Sequence, residues 1–276
     1  CAAMALSSFG DLGKAAKDIF TKHFKTSFCN FNYKSKTEND VDVHIECSGR
    51  DFQAAGDVTF KPADGISVKT KIDNAMKLTS DVEISEKIKG VKHNIVCSID
   101  KAGEKNLKLK SSLKQDHVNA DLEVDFASKF PQTVGSFVVG DKGYMAGAQL
   151  SVDTNGFEIK KYVYSLGYIG KGFQLHGFLT NHRDIEIKLF QSHTDVDCGF
   201  NIGYDGVAKT TSFGAAVMYK PNKDAFLKAR VNERGVLALA YGIKVVPGAL
   251  LTVSAETDTT AYSKAAEYGM CLEIEN

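Results

Sequence analysis

The chain contains no tryptophan and only four prolines against 24 glycines, a balance that disfavours Pro-rich linkers and suits many strands joined by tight turns. It has no net charge, with 34 basic and 34 acidic side chains, so no global field points to nucleic acid or to an anionic surface. No apolar run approaches the ~18–20 residues of a transmembrane helix, which removes helical membrane spans and leaves strand-built ones open. The spacings that carry chemistry are also missing: there is no P-loop, no G-x-G-x-x-G opening a helix after a strand, no H-E-x-x-H, no G-x-S-x-G and no C-x-x-C. An enzyme or cofactor reading therefore has nothing to rest on, and the seven histidines are scattered without the spacing of metal ligands. The glycine-rich run Gly167–Gly172 is flanked by strand patterns and reads as a turn, not as a phosphate cradle. The first residues show neither a basic n-region nor an apolar h-region, which argues against a secretory signal. Six cysteines lie far apart in a chain too long to need staples, and they read as free thiols.

What is present is a period of two, from Lys25 to the end. Val41, Val43, Ile45 and Cys47 interleave with Asp42, His44 and Glu46. Val118, Ala120, Leu122, Val124 and Phe126 interleave with Asn119, Asp121, Glu123 and Asp125. Tyr268, Met270, Leu272 and Ile274 do the same with Glu267, Gly269, Cys271 and Glu273. Turn signals such as Ala63-Asp64-Gly65, Lys101-Ala102-Gly103, Thr154-Asn155-Gly156 and Gly170-Lys171-Gly172 separate these runs and imply hairpin-linked antiparallel neighbours. The turns recur about every 13 residues and leave roughly 18–20 strands of ~10 residues, long for a globular sheet but suited to a tilted bilayer span. By parity Cys29, Cys47, Cys97 and Cys198 fall with the apolar residues, and Cys271 with the charged set.

One stretch breaks the pattern. In Ser8–Phe24, Leu12, Ala15, Ala16, Ile19 and Phe20 recur at helical spacing while Asp11, Lys14, Lys17, Asp18 and Lys22 take the opposite face, so an amphipathic helix is expected there, with Ser8 and Asp11 as its N-terminal cap. The organisation expected is an N-terminal segment, 1–24, carrying this helix, followed by one uninterrupted strand domain, 25–276.

Alternating strands fit either a water-soluble sandwich or a transmembrane barrel. Charge placement favours the barrel: charged groups lie within long strands whose other face stays apolar from end to end, as a wall between lipid and water requires, and closure removes the unpaired edges that lipid cannot satisfy.

These residues resemble the voltage-dependent anion channel family, the mitochondrial porins, along nearly the whole chain. The helix segment F-G-D-L-G-K-A-A-K-D-I-F-T-K resembles that family's N-terminal helix, and G-Y-M-A-G-A-Q-L-S at 143–151 and F-Q-L-H at 173–176 are similar to its middle strands. Tyr219, Ala225, Ala229, Arg230, Val231, Asn232, Ala238, Leu239 and Tyr241 match the spacing of its signature, from which Asn222, Lys223 and Glu233 depart. The resemblance implies an all-β fold, a 19-stranded transmembrane barrel in the mitochondrial outer membrane, with first and last strands parallel and the amphipathic helix inside the pore. It implies a voltage-gated diffusion channel for ions and small metabolites such as adenine nucleotides, no cofactor or metal, contact with the lipid bilayer, and assembly as a homo-oligomer. The last strand, Glu267–Ile274, has the polar-x-Gly-x-x-hydrophobic-x-hydrophobic form read by the outer-membrane barrel assembly machinery. A protein-import pore of the same fold and a soluble all-β binding protein are the alternatives. Two family features are absent: His23-Phe24-Lys25-Thr26-Ser27 stands where a glycine-rich hinge is expected, and Thr70 where a membrane-facing glutamate is expected.

Parity then assigns roles. Leu12, Ala16 and Ile19 are expected to dock the helix, with Val138 and Met145 on the wall receiving it. Asp11, Lys14, Lys17, Asp18 and Lys22 should face the water path, the lysines as candidate contacts for nucleotide phosphates. Lys69, Lys71, Lys108, Lys110, Asp121, Glu123, Asp125, Lys228 and Arg230 are expected to line the pore. Over the clearest strands about eleven inward cations oppose about twenty inward anions, so anion preference weaker than the family norm is expected.

Overall fold

A computed structural model describes residues 6–38, 40–49, 53–85, 90–128, 130–260 and 265–275. The strands are β1 (Asn30–Lys36), β2 (Asp42–Ser48), β3 (Gln53–Ala63), β4 (Ile66–Asp73), β5 (Leu78–Ser85), β6 (Val91–Ile99), β7 (Lys105–Lys114), β8 (Val118–Asp125), β9 (Gln132–Asp141) and β10 (Tyr144–Asp153). They continue as β11 (Glu158–Gly170), β12 (Phe173–Thr180), β13 (Asp184–His193), β14 (Val196–Asp205), β15 (Thr210–Asn222), β16 (Ala225–Asn232), β17 (Val236–Val246), β18 (Ala249–Asp258) and β19 (Glu267–Glu275). Together they make one 19-stranded sheet in which sequence neighbours pair antiparallel and β1 closes on β19 in parallel, Asn30 opposite Cys271 and Lys34 opposite Glu275. An odd strand count forces that junction, since strands that alternate direction leave the first and nineteenth running the same way. No described helix is long and apolar enough to cross a membrane.

Because the side-chain period is two, the register sends one set of residues outward and the other into the lumen. On the inner face opposite charges sit across from one another, as in Lys69 opposite Asp81, Lys108 opposite Asp125 and Lys110 opposite Glu123. On the outer face the same strands set Val68 opposite Val82 and Leu109 opposite Val124. Leu166, Phe213, Leu239 and Phe200 are at least half exposed on that outer face, a pattern that water would penalise and a hydrocarbon belt would bury. The buried core lies instead inside the barrel, where Leu6, Phe9 and Leu12 pack on Val138, Met145 and Val163.

The segment inside the barrel differs from the single helix expected over Ser8–Phe24. A 3₁₀ turn, Phe9–Asp11, is followed by extended Leu12 and by Gly13 at φ +69, and only then by helix α1, Lys14–Thr21. The left-handed step at Gly13 is open to glycine at little cost, and it re-aims the chain so that Phe9 and Leu12 both reach the wall. Ser8 does not cap the backbone; its hydroxyl donates to Asp11 Oδ2 at 2.8 Å.

Candidate functional site

The lumen and the segment seated in it form the candidate site. Its first half is held by apolar contact. Leu6, Phe9, Leu12, Val138, Met145 and Val163 form one cluster, flanked by Ile169 and Phe178, with Phe9 edge-on to Phe178 at 6.5 Å between ring centroids. Farther along, α1 lies against β13, β14 and β15. Ala16 and Ile19 are buried there, and a Cβ placed on Gly199 would collide with Ile19. The wall is thinned to glycine where the segment touches it.

Its second half is held by charge. Lys228 Nζ donates to the carbonyls of Lys22 at 2.9 Å and Asp18 at 3.4 Å. Arg230 Nη1 donates to the Phe20 carbonyl at 2.6 Å while Nη2 holds Glu256 Oε2 at 2.6 Å. The carbonyls at the end of α1 carry the negative pole of the helix, and two cations satisfy them. The Phe24 ring packs on both, 5.2 Å from Lys228 Nζ and 4.6 Å from the Arg230 guanidinium, and Ser254 Oγ donates to the Lys25 carbonyl at 2.6 Å. Lys228 is only 4% exposed. Both Lys228 and Arg230 point inward, as parity requires; the helix end covers Lys228, while the Arg230 side chain keeps 28% of its surface exposed beside the bond to Phe20.

The helix charges face the water. Lys14 pairs with Asp11 at 3.0 Å and Lys22 with Asp18 at 2.7 Å, while Lys17 is exposed with no ion-pair partner among the described residues. The bonds from Lys14 and Ser8 hold the Asp11 carboxyl below its ordinary range. On the opposite wall Lys69 meets Asp57 at 3.0 Å, and the other Asp57 oxygen meets His44 Nδ1 at 2.9 Å. Lys108 meets Asp125 at 2.6 Å and Lys110 meets Glu123 at 3.1 Å. Lys71 is exposed, and Asp121 has Ser136 at 3.5 Å as its hydrogen-bond partner. Ser8 and Gly10 face Lys92, Lys110, Asp121 and Glu123 across a recess of about 400 Å³. Cys271 points inward but is only 4% exposed, so it is closed to labelling from the lumen.

Parity alone did not single out His176, 1% exposed and stacked on Phe178; Lys188, an inward cation by parity, holds its ammonium 4.9 Å from the same ring. The legible signal was glycine on inward register: Gly140, Gly147, Gly199 and Gly214 each stand where a Cβ would crowd Leu6, Phe9, Ile19 or Phe20.

Residues 6–269 match the model of the family described as eukaryotic porin. The chain is 28% identical to a voltage-dependent anion-selective channel of Drosophila melanogaster over 99% of its own length and all of the relative's. It is 27% identical to the rat non-selective voltage-gated ion channel VDAC1, with 91% of this chain and 92% of that one covered. The pig non-selective voltage-gated ion channel VDAC2 is 29% identical, with coverage of 97% and 94%.

Proposed function

Because the chain belongs to the eukaryotic porin family, we propose that it forms a voltage-gated diffusion channel of the mitochondrial outer membrane, passing ions and small metabolites such as adenine nucleotides. The observation that carries this reading is the closed sheet with an apolar exterior, a charged interior and a helix seated against the inner wall. A water-filled pore of this kind selects by the fixed charge of its lining. Here Lys69, Lys92, Lys108 and Lys110 are each drawn to a carboxylate, and Lys228 and Arg230 are spent on the helix backbone. Carboxylates such as Asp81 and Asp121 lack a cation within ion-pair distance among the described residues. Anion preference is therefore weak. The exposed lysines on α1 remain the candidate contacts for nucleotide phosphates. Homo-oligomers and insertion by the barrel assembly machinery through the Glu267–Ile274 strand belong to the same reading.

Reconstitution into planar bilayers, with current recorded against voltage and reversal potential against a salt gradient, tests it. Stepwise conductance with a small reversal potential is expected. Absence of conductance overturns the channel, and a strong anion potential overturns the charge argument.

A further inference from the structure

Strand direction sorts the turns into two mouths. One mouth holds the start of β1 and the β4–β5, β8–β9, β10–β11 and β14–β15 turns; the other holds the end of β19 and, among others, the β3–β4, β9–β10 and β11–β12 turns. The first mouth carries Phe28, Met76, Phe126, Phe130, Phe157 and Val207, between 41% and 82% exposed. Among the described residues the turns of the other mouth, outside the strands, contain no Phe, Met, Leu or Ile, and their one valine, Val41, is half-buried. The charges divide as well. At the first mouth the described turn residues include Lys77, Lys101, Arg183, Lys209 and Arg234 against three acids, whereas the other mouth has six acids against three bases.

Phe157 is the clearest case. It is 82% exposed and adopts φ +55, a left-handed conformation that a bulky side chain rarely takes. Neither packing nor backbone preference accounts for a phenylalanine there. The neighbouring turn is tied to this one, Thr154 Oγ1 donating to the Pro131 carbonyl at 2.8 Å. Phe126 continues the outward register of Leu122 and Val124, with its amide still bonded to Leu107 in the sheet at 2.9 Å. The lipid-facing row thus runs past the strand ends into the turns.

We propose that the turn tips of this mouth fold over the rim into the interfacial layer of the bilayer, with their apolar side chains among the upper acyl chains and their basic residues on anionic phospholipid headgroups, so that the barrel is anchored from one side. Apolar tips with basic neighbours match that layer and its charge, and the tips continue the surface that lipid already covers. The inference rests on the membrane-barrel reading.

The absence of tryptophan makes the test direct, because a single introduced indole is the only one present. Phe157→Trp and Val207→Trp report on this mouth and Lys171→Trp on the other. Each full-length variant is reconstituted into phosphatidylcholine vesicles with brominated acyl chains, with and without phosphatidylglycerol, and conductance is recorded from the same preparations. Blue-shifted emission at 157 and 207 is expected, with quenching by brominated lipid severalfold stronger than at 171 and strongest when phosphatidylglycerol is present. Water-like emission at 157 and 207, open to acrylamide and untouched by brominated lipid in a conducting channel, overturns the proposal and leaves those tips for a soluble protein partner. A wild-type chain that does not conduct overturns the channel reading instead. Two reporters are used at the first mouth so that if one variant fails to assemble the other still decides.

Discussion

The two ends of the lumenal segment are held by different forces. Leu6, Phe9 and Leu12 rest on Val138, Met145 and Val163 through non-directional apolar contact, while the end of α1 is gripped by Lys228 and Arg230 through bonds to named carbonyls. Apolar contact tolerates sliding, because a shifted side chain still finds apolar neighbours. Charge-assisted bonds do not, because a buried cation that loses its acceptors is left unsatisfied. The firmer end of the segment is therefore the one that joins the barrel wall, and the end before Gly13 is the one freer to shift.

The largest effect comes from breaking the charged grip. Arg230→Met removes the donor to the Phe20 carbonyl and strands Glu256, a loss of about 3 kcal/mol in the seating of the segment. Tryptic cleavage after Lys22 and Lys25 should become fast, and the voltage of half-closure should fall. Cleavage and closure unchanged from the wild type would remove the comparison's basis.

Leu12→Ala works on the apolar end. It deletes a side chain 6% exposed, worth about 2 kcal/mol in a seat able to relax. Closure should become easier while the Lys22 and Lys25 sites stay protected. Exposure of those sites would mean that the two ends move together.

Gly13→Ala tests the joint. At φ +69 an alanine costs about 1 kcal/mol, and its Cβ would press on the Lys188 side chain. A small rise in closure, with no change in single-channel conductance of the open state, is expected; lower open conductance would mean that the segment had left its seat.

Much of this was legible in the chain. Strict alternation in stretches such as Val118–Phe126 sets which face each residue takes, because a one-residue slip would turn every apolar side chain to water. The same parity brought Leu12, Val138 and Met145 to one side of the wall. What parity could not give was depth in the third dimension. Lys228 and Asp121 share the inward direction, yet one lies beneath α1 and the other faces the open lumen, a difference fixed by where the helix comes to rest. The break at Gly13 was hidden for a related reason: Leu12 fits a helical stripe and a kinked chain equally well, and only the wall selects between them.

The smallest effect concerns His23, in the linker at the firmer end, where the chain turns at φ +69 without a glycine. Its ring lies on Phe226 at 4.7 Å between centroids. Burial first, then Lys228, with Lys22 and Lys25 adding to it, push its pKa below 6.5, and Glu273 opposes them in part. The docked linker thus prefers the neutral ring. A released linker would titrate near the ordinary value of ~6.5, so below that pH the released state binds more protons than the docked one. Docking stability is fully present above ~6.5 and falls as pH drops through that value toward the lower docked pKa. Closure should therefore be easier at acidic than at neutral pH, and His23→Asn, which tolerates the left-handed backbone and does not titrate, should flatten that component of the pH dependence. A pH response identical in wild type and His23→Asn would show that protonation at the firmer end does not loosen the grip of Lys228 and Arg230.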